Sequence, residues 1–166
     1  VSAVVPYEMA QYSTVNVVVE YAGNASAPFP VKVVAAVPGV FTSNTSGSGQ
    51  AAIFNLADST LNGASNPAAR GSYVTLYATG EGVTTPPVVD GRVSGVPLQG
   101  PALSCSASIG GQVAPIQYCG AAPGEAAGVL QINAQVPQSV TPGSSVPVSI
   151  TIGTIQSQPG VTLAVK

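Results

Sequence analysis

Two stretches of the chain carry the same β pattern, one at each end, and this duplication most narrows what the chain can fold into. Ile132–Val165, INAQVPQSVTPGSSVPVSITIGTIQSQPGVTLAV, is the clearest β signal in the sequence. Shifted back by 131 positions without a gap, it falls on Val1–Val34, VSAVVPYEMAQYSTVNVVVEYAGNASAPFPVKVV, and nine of the 34 pairs are identical. They include Val5/Val136, Pro6/Pro137, Val15/Val146, Val17/Val148, Ser26/Ser157 and Val34/Val165. Within the first copy the alternation is clean. Val15, Val17, Val19 and Tyr21 face one way, and Asn16, Val18 and Glu20 the other, which is the two-residue period of a strand.

Between the copies, short apolar runs are separated by Gly, Pro, Asn and Asp. Gln50–Leu56 and Ser72–Thr79 read as strands, and Ala102–Ile109 and Gln112–Cys119 as a hairpin about Gly110-Gly111. Gly128–Val136, Val146–Gly153 and Gly160–Val165 close the chain. Valine is the commonest residue, and valine and threonine together far outnumber Leu, Met, Glu, Lys and Arg, so the 19 Gly and 15 Pro act as turn punctuation. The expected fold is all-β: an immunoglobulin-like β-sandwich over residues 50–166, with turn signals at the spacing such sandwiches show. It follows a 39–49 linker and a partial second sandwich unit at 1–38. That partial unit holds three strands (1–6, 13–21 and 30–36), too few to be stable alone.

Composition removes several functions. Charged residues make up 6% of the chain, against roughly 25% in an average protein. Four basic residues and a net charge of −2 leave no electrostatic footprint for nucleic acid. No apolar run approaches the ~20 residues of a membrane-spanning helix. With no histidine and no Cys-x-x-Cys, neither a zinc site nor a Ser-His-Asp triad is expected. Six carboxylates scattered along the chain form no acid/base pair, so no catalytic residue, metal or cofactor is expected.

A disulfide between Cys105 and Cys119 is the expected state of the two cysteines. Cys105 and Cys119 lie on the two arms of the expected hairpin, where a disulfide would imply an oxidising compartment. A two-residue turn, however, sets Cys105 opposite Ile116, three residues short of Cys119. A bulge or wider loop near Pro115 would close that gap, and two buried free thiols are the rival account.

The segments NPAARGSYVTLYATGEG (66–82), SASIGGQVAPIQY (106–118), GAAPGEAAGVLQINAQVP (120–137) and TIGTIQSQPGVTLAV (151–165) together resemble an uncharacterised C-terminal domain. It is the domain of secreted acidobacterial proteins of the Solibacter type. The resemblance implies tandem immunoglobulin-like units on an extracellular or cell-surface protein, and no enzymatic activity. The cysteine pair is not among the features it explains.

Three expectations about function follow. The apolar face Val15, Val17, Val19 and Tyr21 is an assembly face, because a half-sandwich exposes both apolar side chains and unpaired strand edges. Its partners are copies of the chain or neighbouring domains of the same protein; the alternative is that strands upstream of residue 1 complete the unit. The loops 57–71 and 83–101, with Asp58, Arg70, Asp90 and Arg92, form the rim of an alternative carbohydrate- or protein-binding module. Asn24 and Asn44 head Asn-x-Ser sequons by pattern, but the expected reading of both is an ordinary polar turn.

Overall fold

The computed structural model describes residues 3–166. The first copy of the repeat holds a 3₁₀ turn, Tyr7–Gln11, and strands β1 (Thr14–Val17), β2 (Glu20–Tyr21), β3 (Asn24–Ala25) and β4 (Phe29–Lys32). Then come β5 (Gly39–Val40), β6 (Gly49–Gln50), β7 (Ile53–Asn55), β8 (Thr60–Leu61) and β9 (Tyr73–Thr79). Next are β10 (Thr84–Thr85), β11 (Gly100–Pro101), β12 (Cys105–Ile109), β13 (Gln112–Ala114) and β14 (Ile116–Ala121). Last are β15 (Leu130–Gln135), β16 (Gly143–Ile152), β17 (Ile155–Gln156) and β18 (Val161–Val165).

Two six-stranded sheets face each other. One runs β13-β12-β16-β18-β6 with β17 on β16, the other β14-β15-β9-β7-β8 with β5 on β9. This is a β-sandwich. Alternate residues of the facing strands fill its interior: Val148, Ile150, Ile152 and Leu163 from one sheet, Val74, Leu76, Leu130 and Ile132 from the other. All eight are at most 4% exposed, which makes this a close-packed core of the kind that strict alternation predicts.

Residues 39–49 do not form a linker. Gly39 and Val40 pair with Thr79 and Ala78 of β9, while Gly49 and Gln50 run parallel to Val161 and Thr162 of β18. One edge segment thus serves first one sheet and then the other. Its Gly/Ser-rich composition hides this, because ladder bonds are made by the backbone and ask nothing of the side chains.

The expected strand at 1–6 is also not formed where it can be judged. Val1 and Ser2 lie outside the described residues, Ala3–Pro6 belong to no strand, and Tyr7 begins the 3₁₀ turn. The expected third strand, 30–36, is shorter at Phe29–Lys32, and the 13–21 run breaks into β1 and β2. In the second copy β16 continues through the corresponding positions, held by β12 along Val148–Ile152. The first copy has no such neighbour, so its ladder stops at Val17.

Pro115 is where the expected hairpin departs from its plan. The Gly-Gly turn sets Ile109 opposite Gln112 and Ala107 opposite Ala114, as expected. Past Pro115 the chain leaves β12, crosses to the other sheet and pairs as β14 with β15. Cys119 therefore meets Cys105 from across the sandwich, Cα to Cα 6.6 Å, and the two are disulfide-bonded. A change of sheet closes the three-residue gap, and an irregularity of register just past Pro115, between Ile116 and Tyr118, sets Cys119 opposite the core residue Ile132.

Candidate functional site

The two copies of the repeat fold alike in detail. Met9 N–H donates to Pro6 O at 3.1 Å, and 131 residues later Val140 N–H donates to Pro137 O at 3.3 Å. Val19 N–H donates to Ser26 Oγ at 3.0 Å, and Ile150 N–H to Ser157 Oγ at 3.1 Å. Each serine returns the bond through its own N–H, Ser26 to Val19 O at 2.9 Å and Ser157 to Ile150 O at 2.8 Å. The hairpins also share a register, Glu20↔Ala25 and Tyr21↔Asn24 against Thr151↔Gln156 and Ile152↔Ile155. The serine shared by the two copies is thus a hairpin clamp, satisfying a backbone donor where the strand turns back.

What differs is what covers them. Val148, Ile150 and Ile152 are 4%, 0% and 0% exposed, whereas their counterparts Val17, Val19 and Tyr21 are 48%, 44% and 83% exposed. The register of the outer strands differs too. β16 and β18 begin with Gly143 opposite Val165, then slip by one, so that Val146 faces Leu163. β1 and β4 have no slip: Val15 pairs with Val31 and Val17 with Phe29. One residue of register turns a strand over. Val15, Val17, Phe29 and Val31 therefore share one face of the ribbon, and Thr14, Asn16, Pro30 and Lys32 share the other. Phe29 is 68% exposed and Val31 38%. The expected face residues Val15 and Val17 lie on this surface with Phe29 and Val31, which the ungapped sequence match does not place there. Val19 and Tyr21 lie beyond the ladder's end.

A clasp fixes this half-module to the sandwich. Tyr7 N–H donates to Asp90 Oδ1 at 2.6 Å, and the Tyr7 hydroxyl donates to Glu81 Oε1. Burial, then the hydrogen bond to Glu81 and its charge, push the Tyr7 hydroxyl well above the usual phenol range. Glu81 is 4% exposed, and its Oε2 receives no hydrogen bond from the described residues. Next to it, Val37 N–H donates to Gly80 O at 2.9 Å. A Cβ on Gly80 would stand 1.8 Å from Val37 O, and one on Gly82 1.9 Å from Ala35 O, with both glycines at positive φ. Tyr-Ala-Thr-Gly80-Glu81-Gly82 is thus shaped by the close passage of residues 35–38, a role that no pattern in 72–82 announces.

The four loop residues expected to form one rim do not come together. The loop 57–71 enters β9 and the loop 83–101 leaves it, seven strand residues or about 20 Å apart. Asp58 is exposed and accepts from Thr60 N–H at 3.1 Å and Thr60 Oγ1 at 2.6 Å, which hold its carboxyl below the usual range. Arg70 is exposed, and its N–H donates to Lys166 O at 3.1 Å. Asp90 belongs to the Tyr7 clasp at the other end. Arg92 is there too, exposed, with its carbonyl accepting from Ala127 N–H at 2.8 Å. An open cavity of about 540 Å³ beside the clasp is lined by Tyr7, Glu8, Val83, Pro87, Val89 and Asp90 among others. Among the described residues, no group of three or more His, Cys, Asp or Glu side chains is arranged to hold a metal.

Sequence reasoning missed Asn62, which ties the two sheets together. It is 2% exposed, accepts from Ala164 N–H at 2.8 Å and donates to Ala164 O at 2.9 Å and Asn55 Oδ1 at 3.1 Å. An Asn in a turn-like run, Thr-Leu-Asn-Gly, carries no signal that it is buried.

The fold and the disulfide define an all-β sandwich protein. Compared with protein-family models, curated proteins and solved structures, the chain matches none. No helix among the described residues is long and apolar enough to cross a membrane.

Proposed function

We propose that the chain is a non-enzymatic structural protein of the cell exterior. In this reading it is an immunoglobulin-like module that joins other chains through its N-terminal strands, with strand addition between chains building a surface filament. One observation carries it: the same half-module is buried in the core at 132–165 and bare at Val17, Val19, Tyr21 and Phe29. Folded proteins avoid exposing a contiguous apolar strand face unless something covers it. The disulfide fits an oxidising setting. Electron microscopy and light scattering of the native material test the reading. A compact monomer whose amides at 14–32 resist exchange would overturn it.

A second reading, a carbohydrate- or protein-binding module, draws on the open cavity between the Tyr7 turn and the 83–90 loop. It needs only that one end of the sandwich, not a rim spanning both loops. Binding in a glycan array that is lost in Tyr7→Ala would favour it.

A further inference from the structure

The β1–β4 ribbon is tied to the sandwich by chain on both sides of it, and both ties land on one loop. Before the ribbon, the Tyr7 hydroxyl donates to Glu81 Oε1 and Tyr7 N–H to Asp90 Oδ1. After it, Val37 N–H donates to Gly80 O at 2.9 Å, and Ala35 O passes where a Cβ on Gly82 would stand. Glu81 sits between those two glycines. The first tie therefore holds its side chain, and the second holds its chain neighbours on either side. The turn after Pro6 that carries Tyr7 has a counterpart after Pro137 that carries Gln138, which lies against Gly71 just before β9. Glu81 lies just after β9. Corresponding turns of the two copies thus dock at opposite ends of one strand, and the first copy docks with a phenol where the second uses an amide.

We propose that Glu81 is the latch of a two-state joint. With Tyr7 docked on it, the ribbon is held at one angle to the sandwich; with Tyr7 lifted off, the 80–82 loop and the 35–38 strap let go together and the ribbon swings. The buried carboxylate is what couples the two ties. Glu81 is 4% exposed, accepts from the Tyr7 hydroxyl at Oε1 and, among the described residues, accepts nothing at Oε2. Removing a donor from a buried charge does more harm than the hydrogen bond alone is worth, because the charge is left with neither partner nor water. Without the phenol, Glu81 is driven toward solvent. It cannot move there alone, since Gly80 and Gly82 lie under Val37 O and Ala35 O with no room to spare. Movement of the loop therefore breaks the Val37–Gly80 hydrogen bond as well, and a local loss becomes a release of the whole ribbon. The joint works in the same way whatever covers the apolar face.

The test uses the whole chain, in which both native cysteines are already disulfide-bonded. Spin labels at Asn16→Cys on the ribbon and Gln112→Cys on the sandwich, both exposed positions, report their separation by pulsed electron resonance. Labelled chain is diluted in unlabelled chain, so that contacts between copies do not enter. The expected result is one narrow distance in the otherwise native chain and a broad distribution in Tyr7→Phe. Hydrogen exchange at the Val37 amide should rise about 5–30-fold in Tyr7→Phe, while β15 and β16 keep their protection. In a Glu81→Gln background the same Tyr7→Phe change should do clearly less, because no buried charge is left behind. Asp90→Asn, which alters the Tyr7 N–H contact alone, should leave the distance narrow and serves if Glu81→Gln does not fold. A broad distribution before any change at Tyr7 would overturn the joint. Equal effects of Tyr7→Phe with and without Glu81→Gln, or broadening by Asp90→Asn as large as by Tyr7→Phe, would overturn Glu81 as the latch. Neither result touches the assembly reading, which electron microscopy and light scattering decide separately.

Discussion

Reducing the disulfide should lower the melting temperature by an amount the topology sets. Cys105 and Cys119 close a loop with a sequence separation of 14. In the chain-entropy account, a loop of about 15 residues restricts the unfolded ensemble by about 3 kcal/mol. For chains of this size each kcal/mol moves the midpoint by about 2–4 °C, so the expected drop is about 6–12 °C. The perturbation is reduction of the wild-type chain with a phosphine, which removes the link and keeps both side chains, with Cys105→Ala/Cys119→Ala as a companion. Far-UV circular dichroism gives the midpoint. Urea titration should also show a steeper slope, because the uncrosslinked unfolded chain exposes more surface. The link joins the two sheets where the corner strand turns at Pro115, so amides of β14 should lose exchange protection before those of β9. A shift below about 2 °C would refute the reasoning, since it would mean the cross-link restricts little in the unfolded state.

Three further outcomes follow. Asn62→Ala removes a donor and an acceptor from the Ala164 backbone, and buried unsatisfied groups cost about 1–3 kcal/mol each, so chemical denaturation should show one of the largest single-residue losses outside the apolar core. Gly80→Ala sets a methyl group into Val37 O at a residue with φ near +80°, so limited proteolysis should cut at 33–38 faster than in the wild type, while β15 and β16 keep their exchange protection. Tyr7 has a folded pKa raised above its unfolded value, so its contribution is fully present below pH about 10 and is lost as pH rises through the folded value. Alkaline titration should accordingly show Tyr7 ionising late, as burial also makes Tyr118 do, and Tyr7→Phe should remove the latest step from the tyrosinate absorbance.

Much of the sandwich was legible because its strands are half-buried and alternate. Tyr73–Thr79, Leu130–Gln135 and Gly143–Ile152 were each within reach of a period-two reading. What escaped shares one physical cause: contacts made by backbone, or by polar groups whose burial depends on distant neighbours. β5 and β6 are built from Gly, Val and Gln and join the sandwich through backbone ladders, with Val40 buried in the core and its backbone bonded by the distant Gln158 side chain. Asn62 is buried because Ala164, 102 residues away, passes over it. The disulfide partners were legible, but the route between them was not, since a proline in an apparent hairpin arm gives no sign that the arm changes sheets. Of the candidate surface, the sequence marks Val15 and Val17, while Phe29 and Val31 depend on register.

That register explains why a duplicated sequence need not present a duplicated surface. Carried over without a gap, the match sets Lys32 on Leu163 and Pro30 on Val161, two core positions of the second copy, where a lysine and a proline would be costly. Taken at face value, that would make the first copy a degraded half-module unfit to be covered. The slip in the β16–β18 ladder between Gly143 and Val146 is what lines Leu163 up with Val146, and β1–β4 lacks it. Without the slip, Lys32 turns to the outer face and Phe29 and Val31 turn inward, so the first copy presents an unbroken apolar row. The substitutions that look damaging in alignment thus fall where the first copy's own register makes them harmless.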